Sequence, residues 1–378
     1  MTSNISNKIL LSVITIFLLA LFTSMAAVQL IAIAMIIYSL SFGNDCLSAN
    51  KFLWRIAFFY VASLFIISYL NGDIESALLS LRRTWMILIA PVAANISSKL
   101  EEKHRRYLES FFIYASAIFA VIFLFQKAIG DPAISGRYAF HRAPYVASFI
   151  LIPAMLFILI KEKILFTHAI IALIIATAMT LINSRGPIIA LFAAAITALV
   201  FSSFDKKILK RIVILIIAIS ILVGICIGFD RWNFFDLSKQ TSIVYRMVIW
   251  NQVIEEIKEK PLLGHGFDNF ETDNQKTITV FREFATNETN PHNSYLMILH
   301  SSGIIGYSIL WFVLGAALWM LKKSFLKNQN KWSIVSFSML IGMMIAALAD
   351  KTFFVTQICL EAWFLVGIGI SEEKEDLA

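Results

Sequence analysis

Apolar stretches of about 17–25 residues alternate along this chain with short runs that hold most of its charge. Few folds survive that alternation. A bilayer core takes about 20 apolar residues as one α-helix, and inside it every backbone amide and carbonyl must be satisfied within the protein. We count about twelve such stretches, at roughly 9–23, 25–42, 52–70, 80–98, 107–127, 143–160, 164–183, 187–204, 212–229, 293–321, 333–349 and 352–370. The expected fold is an all-α polytopic membrane protein, one transmembrane helical domain over 1–378 with a large hydrophilic loop at 230–291 inside it. The first stretch has no small-residue cleavage pattern behind it and reads as a retained helix. Three scattered cysteines, Cys46, Cys226 and Cys359, imply no disulfide or metal framework.

Orientation follows from the short loops. Lys99–Arg106, Lys161–Lys163, Lys206–Arg211 and Lys322–Lys331 are basic and fall in alternate connections, whereas Asn71–Ser76 carries no basic residue. The basic side is predicted to be cytoplasmic, with both termini inside and the acidic tail 372–376 solvated. The same pattern accounts for the net charge of +7 without a nucleic acid partner.

Three features are predicted to face outward. The loop 129–143 carries Arg137, His141 and Arg142; the turn Asn183-Ser184-Arg185-Gly186-Pro187 joins two spans; and the segment 230–291 is the longest hydrophilic one. Within it, Thr241 or Ser242 caps a predicted helix that runs to about Glu259 and stops at Pro261. Ile243, Met247, Trp250, Ile254 and Ile257 recur at helical spacing, which predicts an apolar face lying on the membrane or across the bundle mouth. Gly264-His265-Gly266 predicts a turn, and the polar residues 271–290 a mobile lid.

His292 and Asn293 then open a strongly apolar helix. Continuous helical spacing would set His292, Gly303 and Gly306 on one stripe, the His about 16 Å above the first glycine. The glycines, three apart, would leave a flat face for a neighbouring helix.

An ionisable side chain at membrane depth is costly and needs a reason. Arg55 can snorkel to the inner surface. Arg82 and Arg83 either snorkel outward or present cations to an outer cavity. Arg185 either caps the preceding span or serves as a fixed cation on a side where cations are disfavoured. Arg246 is either a surface charge or part of the same cation set. Asp350-Lys351 is either an exposed turn pair or the support of a His or Arg. His141, His265 and His300 read most simply as structural. Guanidinium forks match phosphate oxygens, so arginines around a membrane cavity suit a pyrophosphate-linked lipid. No acidic cluster on that side has metal-ligand spacing, so no divalent cation or other cofactor is expected. No Gly-rich phosphate loop and no serine nucleophile elbow is present.

His292-Asn293, nine residues, Gly303, two residues and Gly306 resemble the signature of the bacterial O-antigen ligases, within the O-antigen polymerase and ligase superfamily. Tyr245-Arg246 through Trp250 to Pro261–Phe267, and Ser184-Arg185-Gly186, resemble further motifs of that superfamily. The resemblance covers about residues 135–310. It implies a membrane glycosyltransferase bundle of the GT-C kind. The implied reaction moves O-antigen polysaccharide from undecaprenyl pyrophosphate to a sugar hydroxyl of lipid A-core, at the periplasmic face of the inner membrane, with inversion and without metal. By position, His292 matches the family's catalytic His, and Arg185 and Arg246 its pyrophosphate-holding arginines. Arg137 and Arg142 compete for a further arginine, with Arg137 favoured. Asn293 and Asp350 join the substrate-binding set, Asp350 without a motif to place it. A polymerase of the same superfamily is the alternative, and a single dominant external loop favours the ligase. A transporter would place its polar sites at midplane on broken helices, and here they collect at one face.

Overall fold

The computed structural model describes residues 2–41, 51–130, 144–182, 184–203, 205–228, 241–267, 270 and 291–370. Arg137, His141, Arg142, the expected lid 271–290 and the tail 372–376 lie outside them. Among the described residues the regular elements are all helices, with no strand. We number the helices α1 (Thr2–Thr23), α2 (Met25–Ser41), α3 (Lys51–Asn71), α4 (Ile74–Thr84), α5 (Ile89–Ser97), α6 (Glu102–Ile129), α7 (Pro144–Phe149), α8 (Ile152–Ile160), α9 (Phe166–Ile182), α10 (Arg185–Phe201), α11 (Lys206–Gly228), α12 (Thr241–Glu259), α13 (Ser294–Asn328), α14 (Lys331–Ala346) and α15 (Thr356–Ile370).

Four segments, Lys51–Asn71, Ile74–Ser97, Glu102–Ile129 and Ser294–Asn328, are long and apolar enough to cross a membrane, and shorter apolar helices accompany them. Large apolar side chains face outward along these helices, Leu30, Phe125 and Ile221 among them. Such exposure suits lipid as the solvent and not water. Inside, most buried side chains form one continuous core, and Ile249, Val253 and Phe270 form a second, smaller cluster.

Two expected spans are interrupted, each beside a proline. Between α4 and α5 the chain tightens into a 3-10 turn at Trp85–Leu88, because Pro91 has no N–H to return to Ile87. The span expected at 143–160 breaks between α7 and α8, where Pro153 lies in the first turn of α8. Elsewhere small residues bring backbones together. A Cβ on Gly342 would lie 2.6 Å from the Ala190 carbonyl, and one on Gly367 would collide with the Ala90 carbonyl. Close backbone approach of this kind is how helices associate where no hydrophobic effect drives them.

The basic connections do meet at one end of the bundle. Arg211 donates to the carbonyls of Leu159 and Lys161, Lys161 pairs with Glu109, and Lys331 pairs with Glu162 at 2.9 Å. That hydrogen bond and charge hold the Glu162 carboxyl below its ordinary value. At the other end, the 71–76 connection, the 261–267 turn, the start of α13 and the 347–353 turn come together.

Candidate active site at the His292 end

The site is built around a break in α13. Gly303 has φ 61° and ψ −168°, so the helix stops and restarts there. In an unbroken helix the amides of Ile304 and Ile305 would donate to the carbonyls of His300 and Ser301. Here they donate instead to Pro261 and Leu262, at 2.9 and 3.3 Å. The two released carbonyls accept from His265 and Gly266, at 2.8 and 3.0 Å. The turn after α12 thus replaces the helical bonds that Gly303 removes. Irregular backbone is tolerated at membrane depth when it is paired in this way.

This corrects the expected continuous helix. His292 precedes α13 and lies on no helical stripe with the glycines. What approaches Gly303 is the backbone of Leu262 and Leu263, not a helix. Only Gly306 has a helical neighbour, with Leu64 of α3 3.0 Å from where its Cβ would be.

Side chains tighten the docking. His300 donates from Nε2 to Glu256 Oε2 at 2.7 Å, and His265 donates from Nε2 to the Glu256 carbonyl at 2.7 Å. The two imidazoles stack, with centroids 4.8 Å apart and planes 12° apart. Asn71 donates to the Leu263 carbonyl at 2.6 Å, and Ser76 receives the Phe267 amide at 2.7 Å. The buried face of α12 is Ile249 and Val253 with Ile257 beside them, packed on Phe270 and Leu296. Met247 and Ile254, expected on that face, are exposed. The helix period predicted that α12 has an apolar stripe, but the docking of the 261–267 turn chooses the face.

Replacing Glu256 by Ala leaves the His300 ring buried beside a lost acceptor. We expect a cost of about 1–3 kcal/mol. Amide exchange should rise across 256–267 while the rest of α13 stays protected. Unchanged exchange in that turn would mean that the backbone pairing alone holds it.

Midway along, α12 meets the segment that carries His292. Trp250 Nε1 donates to the Pro291 carbonyl at 2.7 Å. Asn293 caps α13, its side-chain oxygen accepting from the amides of Tyr295 and Leu296 at 3.0 and 3.1 Å. His292 has φ 50°, a left-handed conformation uncommon outside glycine. The 347–353 turn is fastened to the same point. The Ser294 amide donates to the Ala347 and Asp350 carbonyls, its hydroxyl donates to Asp350 O at 2.9 Å, and the Phe353 amide donates to that hydroxyl at 3.2 Å. Asp350 Oδ1 accepts from the Lys351 amide and lies 4.0 Å from His292 Nδ1. The two side chains are 30% and 25% exposed, open to an incoming molecule.

His292, Asn293 and Asp350 are therefore brought together. Arg246, half-buried, lies one turn before Trp250 on α12. Arg185 is exposed at the first residue of α10, after the cap residue Ser184. Helices α10 and α14 run antiparallel, with Phe201 against Phe337 at one end and Ala190 against Gly342 toward the other. That register sets Arg185 at the end where α14 gives way to the Asp350 turn.

The structure also separates Arg82 from Arg83. Arg82 is exposed, whereas Arg83 is half-buried and lines an interior cavity with Tyr60, Thr84 and Phe353. The Tyr145 hydroxyl lies within electrostatic range of both Asp350 and Arg83. Two residues escaped the sequence reading. Glu256 looked like one more charge on a polar helix, and its partner is 44 positions away. Glu361 is fully buried in α15, with neither oxygen hydrogen-bonded among the described residues. As a lone acid inside an apolar stretch, it could have been found in the sequence.

Comparison with known proteins bears on this end of the bundle. A family model described as O-antigen ligase matches residues 170–312. That range runs from α9 to the upper half of α13 and contains Arg185, Arg246, the His265–His300 stack, His292 and the Gly303 break. A protein of Pseudomonas aeruginosa strain PAO1 described as O-antigen ligase is 29% identical over 188 residues, 49% of this chain and 41% of that protein. The similarity thus spans about two-fifths of the relative's own length. The matched range 170–312, which holds both the break in α13 and the His292 turn, is thus similar to O-antigen ligases.

Proposed function

We propose that the protein is an inverting membrane glycosyltransferase. It moves O-antigen polysaccharide from undecaprenyl pyrophosphate to a sugar hydroxyl of lipid A-core at the periplasmic face of the inner membrane. The observation that supports this reading is the partly exposed His292–Asp350 pair, with Arg246 one turn from Trp250, which bonds the Pro291 carbonyl, and Arg185 at the start of α10. His292 takes the proton of the acceptor hydroxyl as that oxygen attacks the anomeric carbon. The anomeric bond to the pyrophosphate breaks on the opposite face, which inverts the centre. Undecaprenyl pyrophosphate leaves with the bonding electrons. Asp350 orients the ring and stabilises the imidazolium, the 4.0 Å separation closing when substrate is bound. Arg185 and Arg246 hold the pyrophosphate, and Arg137 or Arg142 completes the set. The reading needs no metal, because guanidinium groups supply the countercharge that develops on the leaving group. Large polar partners reach the site from the membrane surface, so the lipid bilayer is itself a partner.

The test is restoration of lipopolysaccharide ladders in a strain lacking its O-antigen ligase, read on a gel. A ladder supports the reading. No ladder there, but chain elongation in a strain lacking its polymerase, would support the polymerase instead. Arg185→Lys keeps the charge and loses the two-pronged donor. We expect its transfer rate to fall about tenfold or more. Full activity in a purified transfer assay would reduce the requirement at 185 to simple charge.

A further inference from the structure

At the basic end of the bundle a cavity of about 740 Å³ opens between the start of α6, the α8–α9 connection and the α13–α14 turn. It is far from the His292 turn in the fold, and the proposed reaction makes no use of it. Five cations line it, Arg105, Arg106, Lys161, Lys163 and Lys331, against three carboxylates. The charges fall into layers. At the base, Arg105 is only 4% exposed and donates to the Ser97 carbonyl, Trp332 is buried beside it, and Lys161 is paired with Glu109 at modest exposure. At the mouth, Arg106 pairs with Glu102 and Lys331 with Glu162; Arg106 and both carboxylates are largely exposed and Lys331 is half-buried. Exposed pairs of this kind contribute little to stability, so their carboxylates are readily displaced by a better-placed anion.

The segments that line the cavity supply a second, independent observation. Tyr107 follows Arg106, Leu165 and Phe166 follow Lys163 closely, and Leu326 precedes Lys327; all four large apolar side chains are exposed. Cations below and bare apolar surface beside them match an amphiphile with an anionic head. We infer that this cavity binds the phosphate of an anionic glycerophospholipid headgroup, with the acyl chains lying over Tyr107, Leu165, Phe166 and Leu326. Basic pockets between transmembrane helices are suited to such headgroups. The chemistry recognised is a phosphodiester whose negative charge no headgroup cation cancels, and the exposed apolar side chains nearby select the lipid over free phosphate.

Native mass spectrometry of the full chain, with phosphatidylglycerol and phosphatidylcholine in equal competition, tests this. We expect phosphatidylglycerol adducts to be favoured roughly tenfold or more. The Arg106→Gln/Lys163→Gln double variant should bring the ratio close to one. Lys258→Gln, an exposed cation on α12 away from the cavity, should leave the ratio as in the parent. Both altered residues are at the surface, and an unchanged thermal midpoint in detergent would exclude unfolding as the cause. Millimolar inorganic phosphate should not displace the lipid. Displacement by phosphate would overturn the lipid as the source of the anion. Absence of any headgroup preference, or a preference that the double variant keeps, would overturn the site.

Discussion

His292→Ala is expected to abolish detectable ligation while the protein reaches the membrane in parental amounts. A positioned base contributes about 10²–10⁴-fold, enough to erase a lipopolysaccharide ladder. Insertion should survive because His292 lies before α13, and the cap that starts the helix belongs to Asn293. His292 already bears the backbone cost of φ 50°, about 1–2 kcal/mol for a residue with a Cβ, and alanine bears it too. His292→Asn separates that cost from the chemistry. Asparagine accepts the left-handed conformation readily, yet its amide cannot take up a proton at neutral pH. Both variants should be inactive at equal abundance. A normal ladder from His292→Ala would remove His292 from the mechanism, and rescue by asparagine alone would assign it a conformational role.

Gly303→Ala should have the largest effect on folding. Its backbone lies in a region open almost only to glycine, which for another residue costs about 1–3 kcal/mol. In addition, the new Cβ would be driven into the Leu262 carbonyl, a backbone atom that four hydrogen bonds between the turn and α13 hold in place. The turn must either leave α13 or strain it, and the total should be several kcal/mol, about 3 or more. The thermal midpoint in detergent should fall well below the parent, with early proteolysis between α12 and α13. Gly315→Ala, lower on the same helix, meets nothing within 4 Å and should be neutral or slightly stabilising. If Gly303→Ala melted like Gly315→Ala, the break in α13 would not be the keystone described above.

Much of this was legible in the residues themselves. The apolar stretches foretold the helices, and the basic connections foretold which ends meet. Arg211, Lys161, Glu109, Glu162 and Lys331 confirm that grouping through contacts between segments far apart in sequence. Asn293 could be placed as a helix opener because a cap acts on residues two and three positions ahead. The stop of α12 before Pro261 was equally local.

Where the reading went astray, the deciding partner was remote. Gly303 and Gly306 look alike in the sequence, yet one receives a turn from forty residues upstream and the other a helix from α3. The apolar stripe of α12 was assigned from period alone, and docking turned Ile249 and Val253 inward in place of Met247 and Ile254. Asp350 had no motif, and it reaches His292 only because Ser294 fastens the 347–353 turn by its amide and hydroxyl. Composition and spacing determined a helical membrane bundle with its basic connections grouped at one end, since the bilayer admits little else and local periodicity is written in the residues. Which carboxylate faces the His, which arginine turns inward and where a helix breaks were decided by tertiary structure alone, because each depends on a backbone group supplied from a distant part of the chain.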